Sequence, residues 1–142
     1  MAFFNKCVAA LLLIVAFLPS CTVNEIHEGY MNTFSRDYTV HKQNWEVGTD
    51  DDSGDYFFCE FQVPQLTHYV YDNGIMQAFL IMNEGNITPL PFDDFWRVGN
   101  GIRTEQATCE FRPGYVTFIL KYSDHSLDTP YYDYKFRVRF MW

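Results

Sequence analysis

The protein has 142 residues, a formal net charge of −8 and an aromatic content of 19%. The acidic balance excludes nucleic acid as a partner, because binding it needs a basic patch, and it opposes direct attraction to anionic lipid. The length suffices for one domain with its own core, and the many aromatic and β-branched residues favour strands over helices.

The first twenty residues have the pattern of a secretory signal peptide. Lys6 is their only charged residue, and the apolar run Val8–Leu18 follows it. This run fits the hydrophobic region of a signal peptide, about 7–15 residues, and is too short for a membrane-spanning helix of about 20. We predict that residues 1–20 are removed, which changes the net charge of the mature chain from −8 to −9.

The residues around the predicted cleavage site resemble the lipobox of bacterial lipoproteins. Leu18, Pro19, Ser20 and Cys21 match its order of leucine, variable residue, small residue and cysteine. The resemblance implies that the Cys21 sulfur carries diacylglyceryl and that acyl chains such as palmitate anchor the protein, because stable attachment needs at least two chains. We therefore expect a lipoprotein of the bacterial cell envelope, at the outer membrane, with residues 21–34 as lipidated cysteine and tether. The alternative is a plain secreted protein.

Residues 35–142 are predicted to form one all-β domain, a single antiparallel β-sandwich of six to seven strands, with a small β-barrel as the alternative. The segment Arg36–Val47 has mixed alternation, and the polar loop Gly48–Asp55 follows it. The segment Tyr56–Val63 is predicted to be a strand, whose successive side chains point to opposite faces. One face then consists of Phe57, Cys59, Phe61 and Val63.

One short helical turn interrupts the predicted strands. Leu66, Tyr69 and Val70 are spaced as residues on one face of a helix. Gly74 follows at the position where the C-terminus of such a turn would be capped. The apolar segment Ile75–Met82 then predicts a central strand. The segment from Ile87 to Trp96 contains two prolines and can form only an edge strand, because proline lacks a backbone N–H.

The last part of the chain predicts a hairpin and a closing strand. Pro113-Gly114 is a tight turn between two strand patterns, and the first of these has an inward face of Ala107, Cys109 and Phe111. The final run, Tyr131–Trp142, alternates without a break, which is typical of a half-buried antiparallel strand. Its predicted inward face consists of Tyr132, Tyr134, Phe136, Val138, Phe140 and Trp142.

Several of these positions together resemble a group of small lipoproteins from Bacteroides and its relatives. The shared pattern comprises an early tryptophan, the run Thr88–Phe92, the closing run Phe136–Val138, and the spaced residues Pro64, Leu66, Thr67, Val70 and Gly74. The resemblance covers most of the mature chain and implies a compact β-rich domain on the cell envelope. Its shared residues are structural, so it transfers no catalytic residue.

No metal, cofactor or catalytic site is predicted. The four histidines lack ligand spacing, and no serine lies in a nucleophile motif. The acidic loop that ends at Glu60 faintly resembles a calcium loop, but Thr49 stands where the first ligand should be aspartate. Cys59 and Cys109 both face inward, so they could form a disulfide across the core or remain free core thiols.

The best functional candidate is the segment Pro91–Gly101. Its residues Asp93, Asp94, Trp96 and Arg97 combine an aromatic ring with charged hydrogen-bonding groups. This combination suits a sugar ring, whose C–H surface packs on an aromatic face. The alternative is that Trp96 packs over an open end of the sandwich.

We therefore expect a non-enzymatic binding or structural accessory, with the membrane as partner through Cys21 and a glycan or an envelope protein as possible ligand. Glycan binding is one alternative, an adhesion or assembly module using an exposed strand edge is another, and an enzyme is the least favoured. A concave row of aromatic rings would favour glycan binding, and a flat unpaired edge strand would favour assembly. A cleft with converging carboxylates would favour an enzyme.

Replacing Cys21 by serine should abolish lipidation, because serine has no thiol to form the thioether. We expect Cys21→Ser to lose metabolic labelling with palmitate and to be either released or retained uncleaved. Ser20→Ala keeps a small residue before the cysteine and serves as the control, which should be labelled normally. Normal labelling and processing of Cys21→Ser would show that the lipid is not attached there.

Overall fold

Two antiparallel β-sheets pack face to face in the computed structural model, which describes residues 31–52, 54–82 and 85–142. The strands fall into two separate sheets and do not close into one barrel. The prediction of an all-β sandwich is therefore confirmed, and the alternative of a small barrel is wrong.

Nine strands are present in the described residues, more than the six to seven that the sequence predicts. In chain order they are β1 (Thr33–Val40), β2 (Glu46–Asp50), β3 (Gly54–Gln62), β4 (Ile75–Ile81), β5 (Ile87–Pro89), β6 (Phe92–Val98), β7 (Gly101–Arg112), β8 (Tyr115–Tyr122) and β9 (Tyr134–Met141). The four-stranded sheet has the order β1-β9-β4-β5, and the five-stranded sheet has the order β2-β3-β8-β7-β6.

The core lies between the two sheets and is built largely from aromatic rings. Phe118 on β8 and Phe136 on β9 are fully buried, and their rings stack at a centroid distance of 4.1 Å with an interplanar angle of 9°. Val138 and Phe140 follow Phe136 at alternate positions and are also fully buried. The predicted inward face of the closing strand is confirmed for these residues.

The outward face of β9 is charged, and one of its side chains forms an ion pair with a side chain of β1. Arg137 binds Asp37 through two contacts, Nε to Oδ1 at 2.6 Å and Nη2 to Oδ2 at 2.8 Å. The hydrogen bond from Arg137 holds the pKa of Asp37 below its ordinary value. Because the two residues are register partners, the pair favours the register that buries the apolar face of β9.

The helical turn predicted around Val70 is confirmed as helix α1, His68–Asn73. Thr67 caps its N-terminus, because the Thr67 hydroxyl accepts a hydrogen bond from the Val70 backbone N–H at 3.2 Å. At the other end, the Gly74 N–H donates to the Val70 carbonyl at 2.8 Å, and a Cβ at Gly74 would lie 2.5 Å from that oxygen. No helix in the described part of the chain is long and apolar enough to cross a membrane.

The N-terminal part of the domain differs from the prediction in two respects. β1 begins at Thr33, so the domain starts before the predicted boundary at residue 35. The segment Arg36–Val47 is not one strand, because a 3-10 turn at Lys42–Asn44 separates β1 from β2, and these strands belong to different sheets. Trp45, directly after this turn, is buried.

The closing strand begins at Tyr134, later than predicted. Tyr132, which was expected to face inward, lies outside the strand and is 71% exposed. Both neighbours of β9 end at this point, since Val40 of β1 pairs with Tyr134 and Ile81 of β4 pairs with Lys135. The residues before Tyr134 therefore have no strand beside them to extend the ladder.

The proline-containing segment forms two edge strands, which confirms the expected edge position. β5 is an edge of the four-stranded sheet, and β6 is an edge of the five-stranded sheet. Between them, the Leu90 N–H donates to the Ala78 carbonyl at 2.9 Å, and Pro91 has no N–H to donate. The chain therefore changes sheets within this short segment.

Asn32 and Trp142 lie side by side at one end of the sandwich. They exchange two backbone hydrogen bonds, of 2.9 and 3.1 Å. Two residues further into the sheet, Phe34 stacks on Phe140 at a centroid distance of 5.2 Å. The start of β1 and the end of β9 are therefore fixed together.

Truncating Phe136 to alanine should destabilise the domain strongly. The change leaves a cavity opposite Phe118, and such Phe→Ala replacements in a core cost about 3–5 kcal/mol. Chemical denaturation measures the loss. Lys135→Ala, at the adjacent exposed position, is the control and should change the free energy of unfolding by less than about 0.5 kcal/mol. Equal stability of the two variants would show that the ring stack does not hold the sheets together.

Candidate functional site

A cleft of about 1010 Å³ opens between the two sheets. The four-stranded sheet contributes the end of β4 and the start of β9, and the five-stranded sheet contributes β6, β7 and β8. Its aromatic lining residues are Phe92, Trp96, Tyr122, Tyr131, Tyr132 and Tyr134. Rings from both sheets and from the loop before β9 therefore surround one space.

A smaller depression of about 310 Å³ lies on the outer face of the five-stranded sheet. Its charged groups are largely paired with each other: Glu60 Oε2 accepts hydrogen bonds from Arg112 Nη2 at 2.8 Å and from Thr117 Oγ1 at 3.2 Å. The larger cleft, which contains several residues of the predicted edge segment, is therefore the candidate site.

The predicted site residues on β6 do not all lie on the same face of the strand. They are Asp93, Asp94, Trp96 and Arg97. Asp94 and Trp96 both line the cleft, since residues two apart on a strand share a face. Asp93 is on the opposite face and does not line the cleft, so the structure does not bring it together with Asp94 and Trp96. Arg97 borders the cleft near the end of β6.

Trp96 is half-buried and has contacts on two sides. Its indole meets the Tyr122 ring edge-on, at a centroid distance of 6.0 Å and an interplanar angle of 84°, and it packs against the core. Another part of the side chain lines the cleft. Trp96 therefore combines the packing role with a ring surface that a ligand could reach.

Glu105 is the one buried charged side chain in the described ranges, with 8% of its surface exposed. The Tyr134 hydroxyl donates a hydrogen bond to Glu105 Oε1 at 2.6 Å, and Tyr122 also hydrogen-bonds to this carboxylate. Since Tyr134 is on β9 and Tyr122 is on β8, the Glu105 carboxylate joins the two sheets at the base of the cleft.

The environment of this cluster shifts the pKa values of Glu105, Tyr122 and Tyr134. Burial raises the pKa of Glu105 above its ordinary value of 4.5, and the nearby Asp94 acts in the same direction. The hydrogen bonds from Tyr134 and Tyr122 oppose this rise, because they stabilise the ionised form. The pKa values of both tyrosines are raised by burial and by Glu105, so the tyrosines stay protonated and act as donors.

Arg103 connects β7 with the loop between β8 and β9. Its guanidinium contacts Asp124 Oδ2 at 2.7 Å through Nη2, and Asp128 Oδ2 at 3.2 Å through Nη1. Its Cζ lies 5.4 Å from the centroid of the Tyr122 ring. Two carboxylates therefore balance the charge of Arg103, and the loop is fixed beside the cleft.

Tyr131 and Tyr132 are the most exposed rings that border the cleft, with 86% and 71% of their surfaces exposed. Their centroids are 5.9 Å apart. The next residue is held in place, because Asp133 Oδ2 lies 2.8 Å from His41 Nδ1 and Asp133 Oδ1 accepts a 2.9 Å hydrogen bond from the Lys42 N–H. The exposed pair thus sits on an anchored segment.

Three residues of the cleft were not predicted from the sequence as site residues: Glu105, Tyr122 and Tyr134. The orientation of Glu105 was nonetheless readable, because it lies two residues before Ala107 and shares its predicted inward face. Tyr134 was assigned to the core face of its strand. No local pattern shows that its hydroxyl meets a carboxylate of the other sheet.

Cys59 and Cys109 do not form the disulfide that was considered from the sequence. Both are free thiols, and both are register partners of Phe118, on opposite sides of β8. One strand separates them, which places their Cα atoms about 10 Å apart, beyond the roughly 7 Å that a disulfide can span. The alternative of free core thiols is correct, and burial raises the pKa of each.

Within the described ranges, no group of three or more His, Cys, Asp or Glu side chains is arranged to hold a metal ion. Glu60, the last residue of the faint calcium pattern, is bound to Arg112. Cys21, the predicted lipid attachment site, and His27 lie outside the described residues.

The raised pKa of Glu105 should make the stability of the domain depend on pH. Consider a carboxyl group whose pKa is higher in the folded than in the unfolded chain. It stabilises the fold at pH values below its unfolded pKa, and this stabilisation is lost as the pH rises through its folded pKa. From about pH 4.5 upward, the free energy of unfolding of the wild type should therefore fall relative to that of Glu105→Gln. Urea denaturation of both proteins over a pH series measures this difference, and a constant difference would contradict the shift.

Comparison of the chain with known protein families, with curated proteins and with solved structures gives no match in any of the three.

Proposed function

We propose that this protein is a lipid-anchored accessory of the bacterial cell envelope whose β-sandwich binds a glycan in the inter-sheet cleft, without catalysing a reaction. The observation that supports glycan binding is the concave arrangement of rings around the cleft, formed by Trp96, Tyr122, Tyr131, Tyr132 and Tyr134. The lipobox pattern Leu18–Cys21 supports the anchor.

The cleft combines apolar ring surface with charged groups, as sugar recognition requires. An aromatic face covers the C–H surface of a pyranose, while the Asp94 carboxylate can accept hydrogen bonds from hydroxyl groups and Arg97 can donate them. The volume of about 1010 Å³ is at the upper end of the usual range for small-molecule sites, about 300–1,000 Å³. Such a space suits an oligosaccharide better than a single sugar.

The exposed tyrosines at the cleft support the same function. Tyr131 and Tyr132 leave most of their ring area in solvent, which contributes little to folding. Exposed apolar surface that is concentrated beside a groove is typical of ligand-binding sites. Because the flanking Asp128 is bonded to Arg103 of β7 and Asp133 is bonded to the turn between β1 and β2, the rings are presented with little loss of conformational entropy on binding.

Trp96→Ala should weaken glycan binding at least about tenfold, equivalent to about 1.4 kcal/mol, because it removes a ring that borders the cleft. A glycan array identifies the ligand, and calorimetry then measures the affinity. Phe95→Ala is the matched control: Phe95 is the adjacent residue on the opposite face of β6, is 65% exposed, and should be dispensable for binding.

Because Trp96 also packs against Tyr122, circular dichroism must show that each variant is folded. Trp96→Leu retains apolar bulk at this position and is tested in parallel. A folded Trp96→Leu protein with wild-type affinity would remove Trp96 from the site. An array on which no glycan binds would reject glycan binding by this protein.

A second candidate function is glycoside hydrolysis, which the pairing of two carboxyl groups in the cleft favours. Glycosidases use one carboxyl group of raised pKa as the general acid and a second, ionised one as the nucleophile or base. Glu105 has the raised pKa, and Asp94 is its cross-strand partner.

Hydrolysis would require that a bound oligosaccharide is cleaved by the wild type and not by Glu105→Gln. Release of new reducing ends during prolonged incubation measures this activity. Binding of the oligosaccharide without any release of reducing ends would exclude hydrolysis of that ligand and favour the non-enzymatic function.

A further inference from the structure

The cleft places two carboxyl groups next to each other between aromatic rings. Asp94 and Glu105 are direct partners across the β6–β7 ladder, so their Cβ atoms lie about 4.5–5.5 Å apart on the same face. Trp96 follows Asp94 on this face, and Tyr134 reaches Glu105 from the other sheet. A ligand in the cleft therefore meets paired acidic groups together with ring surface.

The cations around the cleft do not neutralise this pair. Arg103 is already bonded to two aspartates of the neighbouring loop. Arg97 and Lys135 also line the cleft. Among the ion pairs formed within the described part of the chain, none involves Asp94 or Glu105.

Two effects give this arrangement a preference for positive charge. The adjacent carboxyl groups repel each other when both are ionised, and this repulsion contributes to the raised pKa of Glu105. A bound cation would relieve the repulsion. The faces of Trp and Tyr rings also attract cations through their quadrupole, so Trp96 and Tyr134 act in the same direction as the carboxyl groups.

We propose that the cleft selects glycans that carry a free amino group, whose ammonium is held by Asp94 and Glu105 beside the Trp96 ring. The proposal rests on glycan binding by this cleft and adds the chemical class of the glycan. An N-acetylated or neutral sugar of the same size can still pack on the rings, but it leaves the carboxyl pair without a counter-charge.

The test compares two oligosaccharides that differ only in the amine. The probes are a tetramer of β-1,4-linked glucosamine and the same tetramer fully N-acetylated, titrated by calorimetry at about pH 5.5, where the amines of glucosamine, which are less basic than the amine of lysine, are mostly protonated. We expect the wild type to bind the amine-bearing tetramer at least about tenfold more tightly. Asp94→Asn should bring the two affinities to within about twofold of each other.

Asp93→Asn is the matched control, because it makes the same chemical change at the adjacent residue, on the opposite face of β6. It alters the net charge equally and should keep the preference. Loss of the preference in Asp93→Asn to the same extent as in Asp94→Asn would overturn the proposal, since it would show a diffuse charge effect.

Equal binding of both tetramers to the wild type would overturn the proposal and leave glycan binding intact. Failure of both tetramers to bind would also overturn it, and the glycan array then decides separately whether any glycan is bound.

Discussion

The stack of Phe118 on Phe136 joins the two sheets, and the other contacts of the sandwich are arranged around it. Both rings are on interior strands, β8 and β9, so each is supported by a strand on either side. Two residues nearer the cleft along β9, the Tyr134 ring still lies nearly parallel to Phe136, with centroids 6.1 Å apart and an interplanar angle of 12°. Its hydroxyl, however, bonds Glu105. The apolar core thus ends in a polar contact where the sheets begin to separate.

That polar contact serves the fold and the cleft together. Burying a carboxyl group is unfavourable unless hydrogen bonds compensate for the lost hydration, and two tyrosines supply them to Glu105. Replacing a buried ion pair by apolar residues of similar volume is often neutral or stabilising in other proteins, so joining the sheets does not by itself require a carboxyl group at this position. For this reason we connect Glu105 with recognition of a ligand as well as with folding.

The orientation of side chains could be predicted from the sequence to a greater extent than the pairing of strands. Alternation depends only on neighbouring residues, so the inward faces of β3, β7 and β9 were predicted correctly, whereas Tyr132, which precedes β9, was wrongly assigned to the inward face. Asp93 and Asp94, which were predicted together, are on opposite faces of β6 because adjacent strand residues face opposite ways. The contact between Glu105 and Tyr134 joins residues that are 29 positions apart in the chain. It depends on the packing of one sheet on the other, which no local pattern encodes.

The backbone pairing of Asn32 with Trp142 places the first and the last residues of the described domain at the same end of the sandwich. β9 runs from Tyr134 at the cleft to Met141 beside that pair, a path of about 23 Å at roughly 3.3 Å per residue. The chain that precedes residue 31 therefore joins the sandwich at the end remote from the cleft.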